Sequence, residues 1–195
     1  MYHDFHAPFV AWYPVKYHQQ IKSILLPKLH NHPSGKRETG NALTTFNCSL
    51  DDNASVITKE IIEQFIWDPF DQMIEEKQFQ PTITESYIKH LWWNQYSPGD
   101  YAIAHHHVNA DFCGIYILDC SEDNTTVFHP HISNCQYPFD AGPYFTEHIQ
   151  EGYTMLWPSY LMHSAIPAKK DRMIIAFNIQ SNYTYFAEDH IPDDN

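Results

Sequence analysis

A chain of 195 residues, 43% hydrophobic and 15% aromatic, is long enough to bury a core and too apolar to stay disordered. Its 11 Lys and Arg against 24 Asp and Glu leave a net charge of −13, a field that repels phosphate backbones and argues against nucleic acid as a partner. The cysteines (Cys48, Cys113, Cys120, Cys135) show no CxxC spacing, which argues against a zinc knot, and no apolar run approaches the roughly 18 residues of a membrane span. With no charged-then-apolar leader, the expectation is a cytoplasmic protein with reduced thiols and no membrane partner.

The first third reads as helix and loop. Residues 15–26 ("VKYHQQIKSILL") put Tyr17, Ile21, Ile24 and Leu25 on one helical face, and Pro27 discourages continuation. A polar, turn-rich loop follows at 31–41. A second helix is predicted over 55–65, where Ile57, Ile61 and Phe65 recur every four residues; "WDPF" at 67–70 interrupts it and "DQMIEEKQF" resumes it. After Pro81 the texture changes. Short aromatic or β-branched runs ("SYIKHLWWNQY", "YAIAHHH", "FCGIYIL", "TTVFH", "YTMLW", "HSAI", "RMIIAFN") alternate with Pro, Gly, Asn and Asp, as in a β-barrel or sandwich. The predicted fold is mainly β, one domain over 1–195. A helical section (1–80) buttresses a β core (82–182), and a tail (183–195) follows.

Within "YAIAHHH", strand alternation places His105 and His107 on one face, with Tyr101 and Ile103, and turns His106 away. Like-facing Cα atoms lie roughly 6.6 Å apart, close enough for two imidazoles to converge on one ion. Alone, HxH is a weak signal, and a solvated strand end would look the same.

Residues 153–178 carry more. The strand "YTMLW" stops at Pro158, a turn delivers His163, and "RMIIAFN" follows with Arg172, Ile174, Ala176 and Asn178 facing one way. An arginine among apolar neighbours needs an anion. Either a carboxylate ligand, gripped bidentately, or a structural acidic partner would serve. Trp92, Trp93, Tyr96 and Trp157 could shape a cavity there, or be ordinary aromatic core.

The pattern "WxN…G…HxH…(S/C)GxYxL…PSxLxHxxxP…RxxIAFN", spanning 92–178, resembles the 2-oxoglutarate/Fe(II)-dependent oxygenases related to prolyl 4-hydroxylases. The resemblance implies a double-stranded β-helix of the jelly-roll or cupin-like kind. It implies Fe(II) and 2-oxoglutarate, with ascorbate as a candidate third component, and O2 oxidising a small-molecule or protein side-chain substrate. It assigns His105, His107 and His163 to the metal, Arg172 to the distal carboxylate of 2-oxoglutarate, and Asn94, Tyr116 and Asn178 to the lining of the cosubstrate pocket. Cys113 stands where the family usually has serine. One departure matters: the better-known ligand set is two histidines and a carboxylate, and here His107 takes the carboxylate's place. Asp111 is the alternative third ligand.

Two other readings stay open. "GDYAIAHHH" also fits the opening of a cupin signature through Gly99, His105 and His107, with Asp111 for the expected Glu, Gly114 displaced, and a poor second motif near His163. That enzyme would need no 2-oxoglutarate. The remaining reading is a metal-binding β module without turnover. The sequence leaves oligomeric state open, a homodimer included.

Overall fold

The computed structural model describes residues 9–32, 35–36, 40–77, 83–121, 126–129, 144–145 and 149–183. Cys135, the first residue of "TTVFH" and the tail beyond 183 lie outside these. The elements, in order, are β1 (Ala11–Pro14), α1 (His18–His30), β2 (Gly35–Lys36), β3 (Leu43–Thr44), α2 (Leu50–Val56), α3 (Lys59–Ile62), α4 (Asp68–Glu76), β4 (Ile83–Tyr96), β5 (Ala102–His105), β6 (Phe112–Cys120), β7 (Thr126–His129), β8 (Tyr144–Phe145), β9 (Tyr153–Pro158), β10 (Met162–Ala165) and β11 (Arg172–Tyr183). The strands form a seven-stranded sheet in the order β1-β9-β6-β11-β4-β3-β2 and a four-stranded sheet, β5-β10-β7-β8; every described pairing between strands is antiparallel.

Alternation along the large sheet sends its side chains into two cores. On one face Leu91, Trp93, Phe112, Tyr116, Leu156, Met173, Ile175 and Phe177 pack under the helices, against Ile21, Leu25, Leu29, Phe65, Phe70 and Met73. On the other face Trp92, Cys113, Ile115, Ile117, Met155, Trp157 and Ala176 meet Phe128 and Leu161 from the small-sheet side. The helical buttress is therefore as expected. The mainly β architecture is as expected too; among the described residues its two sheets do not close into a barrel.

Gly114 on β6 marks a close approach inside the large sheet. A Cβ there would lie 2.5 Å from the Met155 carbonyl and 2.5 Å from the Phe177 ring. Gly114→Ala should therefore lower stability by about 1–3 kcal/mol through overpacking. A reduced urea midpoint would show it, and an unchanged midpoint would mean the β6–β9 spacing is slack.

Several local expectations are corrected. The first third is not helix and loop only: β1 pairs with β9, burying Ala11 and Tyr13. α1 continues through Pro27 to His30, because Leu29 extends the Ile21–Leu25 row into the core; Tyr17 and Ile24 are exposed. The second helix is split. Ser49 caps α2, its hydroxyl accepting the Asp52 N–H (3.0 Å), and extended backbone at Ile57 and Thr58 separates it from α3. "WDPF" does not break the helix but widens it, as a π-turn over Glu63–Trp67 joining α3 to α4. In a regular α-helix residue 69 would donate to the Phe65 carbonyl, and Pro69 has no N–H. The Thr154 hydroxyl on β9 donates to that carbonyl instead (2.7 Å).

Candidate metal and cosubstrate site

The site lies between the sheets. Trp92, Asn94, Tyr96, Ile174, Ala176 and Trp157 line it from the large sheet, and Ala102, His105, Thr126, His163 and Ser164 from the small one, with His107 at its edge. His105 and His163 face each other across the β5–β10 pairing. His105, His107 and His163 present ligand atoms within 4.8 Å of one another.

His105 and His107 arrive there by a different route from simple alternation. Between the pairs His163↔His105 and Ala165↔Ala102, β10 advances two residues and β5 three. That extra residue is a β-bulge, a device that re-aims side chains next to sites. It directs both Ala102 and His105 inward and leaves Ile103 47% and Tyr101 37% exposed, where alternation had placed them beside the histidines. β5 ends at His105. His107 is held beyond it, its main-chain N–H donating to Ser159 (2.9 Å). His106 is exposed.

All three rings are fixed in the same sense. The Nδ1 of His105 lies 2.7 Å from the Ile103 carbonyl, that of His163 3.0 Å from the Leu161 carbonyl, and that of His107 2.5 Å from Asn178 Oδ1. Each partner is an acceptor, so each Nδ1 carries the proton and the lone pair that could bind a metal sits on Nε2.

Arg172, at the start of β11, is buried (5% exposed) with its guanidinium 4.1 Å from the centre of the Tyr96 ring. Among the described residues no carboxylate pairs with it. Buried polar atoms without a partner include the indole Nε1 of Trp92 and Trp157 and Asn94 Oδ1 in the pocket lining, and Nε of Arg172, which stacks on the lining residue Tyr96. Buried polar groups are normally satisfied. Leftover indole and guanidinium donors beside three imidazoles that could hold an ion fit a metal and an oxygen-rich anion. Imidazole suits Fe, Zn, Cu and Ni alike, so the donor set accommodates Fe(II) without selecting it.

The remaining expected residues divide. Asn94 lines the pocket. Asn178 turns to His107. Tyr116 is on the opposite face of β6, stacked on Phe65 (4.9 Å between centroids), with its hydroxyl 2.6 Å from His18 Nδ1. Burial pushes the Tyr116 phenol above its ordinary range, so the hydroxyl stays protonated and donates to His18. His18 Nε2 in turn reaches Glu151 (3.0 Å), which Lys22 also holds (2.7 Å). Tyr116 thus anchors α1 to the sheet rather than lining the pocket. Tyr116→Phe should lower stability by about 1 kcal/mol and leave 2-oxoglutarate affinity unchanged; a weakened affinity would return it to the pocket.

Asp111 is occupied elsewhere. Its carboxylate accepts from Gln180 Nε2 (2.6 Å) and the Ser181 N–H (2.7 Å), and its carbonyl accepts the Ser159 N–H (2.9 Å). It ties the segment after His107 to β11. Trp93 points into the helical core, edge-on to His32 (4.8 Å). The sequence reading missed Thr126 and Ser164 in the lining, and His129, whose Nε2 lies 2.8 Å from Ser164 Oγ. Only Ser164, adjacent to a candidate ligand, carried any signal.

Residues 90–178 match the family model described as "Putative 2OG-Fe(II) oxygenase". Among solved structures the chain is similar to a prolyl-4-hydroxylase of Pseudomonas putida, with a TM-score of 0.60 at 11% identity, covering 88% of this chain and 92% of that one. It is similar to the viral collagen prolyl hydroxylase of Paramecium Bursaria Chlorella virus-1 in its 2OG complex (TM-score 0.58, 12% identity, 88% and 95% covered). It is also similar to the non-heme alpha ketoglutarate dependent epimerase SnoN from nogalamycin biosynthesis (TM-score 0.59, 12% identity, 95% and 86% covered). No curated protein sequence matches the chain. At these identities the structural likeness is one of fold.

Proposed function

We propose, on the premise that this chain belongs to the 2-oxoglutarate/Fe(II)-dependent oxygenase family, that His105, His107 and His163 hold the Fe(II) and Arg172 the distal carboxylate of 2-oxoglutarate. The observation that supports this assignment best is the pairing of three Nε2-presenting imidazoles within 4.8 Å with a buried arginine that no described carboxylate neutralises. When bound, the metal and cosubstrate supply the oxidative chemistry: O2 is consumed, 2-oxoglutarate becomes succinate and CO2, and the substrate is oxidised.

The chain's own residues bind, orient and exclude water. Arg172 offers a planar fork to a carboxylate, and its stacking on Tyr96 fixes the plane of that fork. Trp92 and Trp157 wall the site. Trp157 lies edge-on to His163 (4.9 Å between centroids) and Trp92 leans on His107 (5.8 Å), so each limits the swing of a ligand ring. Their indole N–H groups are candidates to donate to cosubstrate oxygens. Ser164 and Thr126 add hydroxyl groups on the small-sheet side.

The proposal extends to the setting. One domain spanning the chain fits the shared core of helices and strands. Cys48, Cys113 and Cys120 are free thiols, and no described helix is long and apolar enough to cross a membrane; a reducing cytoplasm suits both the thiols and Fe(II). The net charge of −13 favours a neutral or cationic substrate, small molecule or protein side chain, over nucleic acid.

Anaerobic addition of Fe(II) and 2-oxoglutarate together should produce a visible charge-transfer band that neither gives alone. Oxygen uptake indifferent to 2-oxoglutarate would favour the cupin-type enzyme instead.

A further inference from the structure

Resting on the reading of the triad as a metal site, the three supporting hydrogen bonds differ in origin. The acceptors for His105 and His163 are main-chain carbonyls two residues earlier, Ile103 and Leu161. They come with the local backbone. His107 has left its strand, and its acceptor is the side chain of Asn178, on β11 in the other sheet. An amide can face either way. With Nδ2 toward the ring it would donate to Nδ1 and move the ring proton to Nε2, where it would block ligation. His90 sits opposite Asn178 in the β4–β11 register, and its Nδ1 lies 3.3 Å from Asn178 Nδ2. With His90 Nδ1 as the acceptor, that contact takes an amide hydrogen and keeps Oδ1 on His107.

We propose that Asn178 is a positioning residue that holds His107 as an Nε2 ligand, doing by a side chain what main-chain carbonyls do for the other two histidines. The histidine in place of a carboxylate makes such a residue necessary. A carboxylate ligates through either oxygen, whereas an imidazole must have its proton on the correct nitrogen. This gives Asn178 a role toward the metal ligand, in place of the cosubstrate contact expected from the sequence.

The test begins with nitrogen-15 histidine NMR of the wild-type apoprotein at a pH where the rings are neutral. The His107 signals should report the Nδ1–H form; the Nε2–H form would overturn the proposal without any mutation. Anaerobic Co(II) titration, read by visible absorption and calorimetry, then compares variants with folding checked by circular dichroism. Asn178→Val, which keeps the volume and removes the acceptor, should weaken Co(II) binding about 10–100-fold. Asn178→Asp, which keeps an acceptor, should bind close to wild type. Co(II) binding by Asn178→Val equal to wild type, or an Asn178→Asp loss as large as that of Asn178→Val, would overturn it. If the valine variant fails to fold, the wild-type NMR spectrum and the aspartate variant decide. Wild-type protein that binds no Co(II) would count against the triad itself, a different failure from unaltered binding by the valine variant.

Discussion

His163→Ala is expected to abolish 2-oxoglutarate turnover and to weaken Fe(II) or Co(II) binding by more than the roughly 10–100-fold that loss of a supporting partner costs. His163 is the most enclosed of the three histidines, wedged against His105 (4.4 Å between centroids), Trp157 and Phe128. Alanine leaves two imidazoles, one on the bulged β5 and one beyond it, with no third donor on β10 to close the facial set. Asp111 cannot substitute without abandoning Gln180 and Ser181. His106→Ala, at an exposed position between the two proposed ligands His105 and His107, should behave as wild type. Succinate formation and metal titration read both variants. Turnover by His163→Ala at the wild-type rate would remove the triad as the metal site.

Arg172→Leu should raise the KM for 2-oxoglutarate by tenfold or more, as expected for about 1.5–3 kcal/mol of charge-assisted hydrogen bonding. The arginine's surroundings also predict what should not change. A structural ion pair would leave a buried acid unpaired when broken and lower the melting temperature steeply. With no described carboxylate beside Arg172, leucine should cost at most the contact with Tyr96, on the order of 1 kcal/mol. Arg172→Lys should recover part of the affinity, since lysine supplies the charge but not the fork. A collapse in melting temperature with an unchanged KM would make Arg172 structural.

These two predictions rest on residues that the sequence made visible, and the reason is geometric. β11 alternates cleanly, so Arg172, Ile174, Ala176 and Asn178 could be placed on one face by parity alone. β6 could not be read this way. It is buried on both faces, so apolar residues run without alternation and nothing marked Tyr116 as belonging to the helical side. β5 misled in the opposite sense. Its HxH looked like simple alternation, but a bulge that no single residue announces brings His105 inward, and hydrogen bonds donated to Ser159 and Asn178 bring in His107. Short edge elements such as β1 and β8 were invisible because a few residues carry little periodicity. Pro27 and Pro69 were overweighted as helix breakers: packing of Leu29 carries α1 past the first, and a π-turn absorbs the second.

The Thr154 hydroxyl that replaces the missing N–H of Pro69 has an evolutionary consequence. The Phe65 carbonyl couples two residues far apart in the chain, Pro69 that cannot serve it and Thr154 that does, so neither is free to drift alone. Thr154→Val in the present background strands the Phe65 oxygen under the helices and should cost about 1–3 kcal/mol. The same change after Pro69→Ala should cost less, because a main-chain donor is again available. Because β9 carries Trp157 on its opposite face, the proline's history reaches the wall of the candidate site: which substitutions the pocket tolerates depends on a helix it never touches.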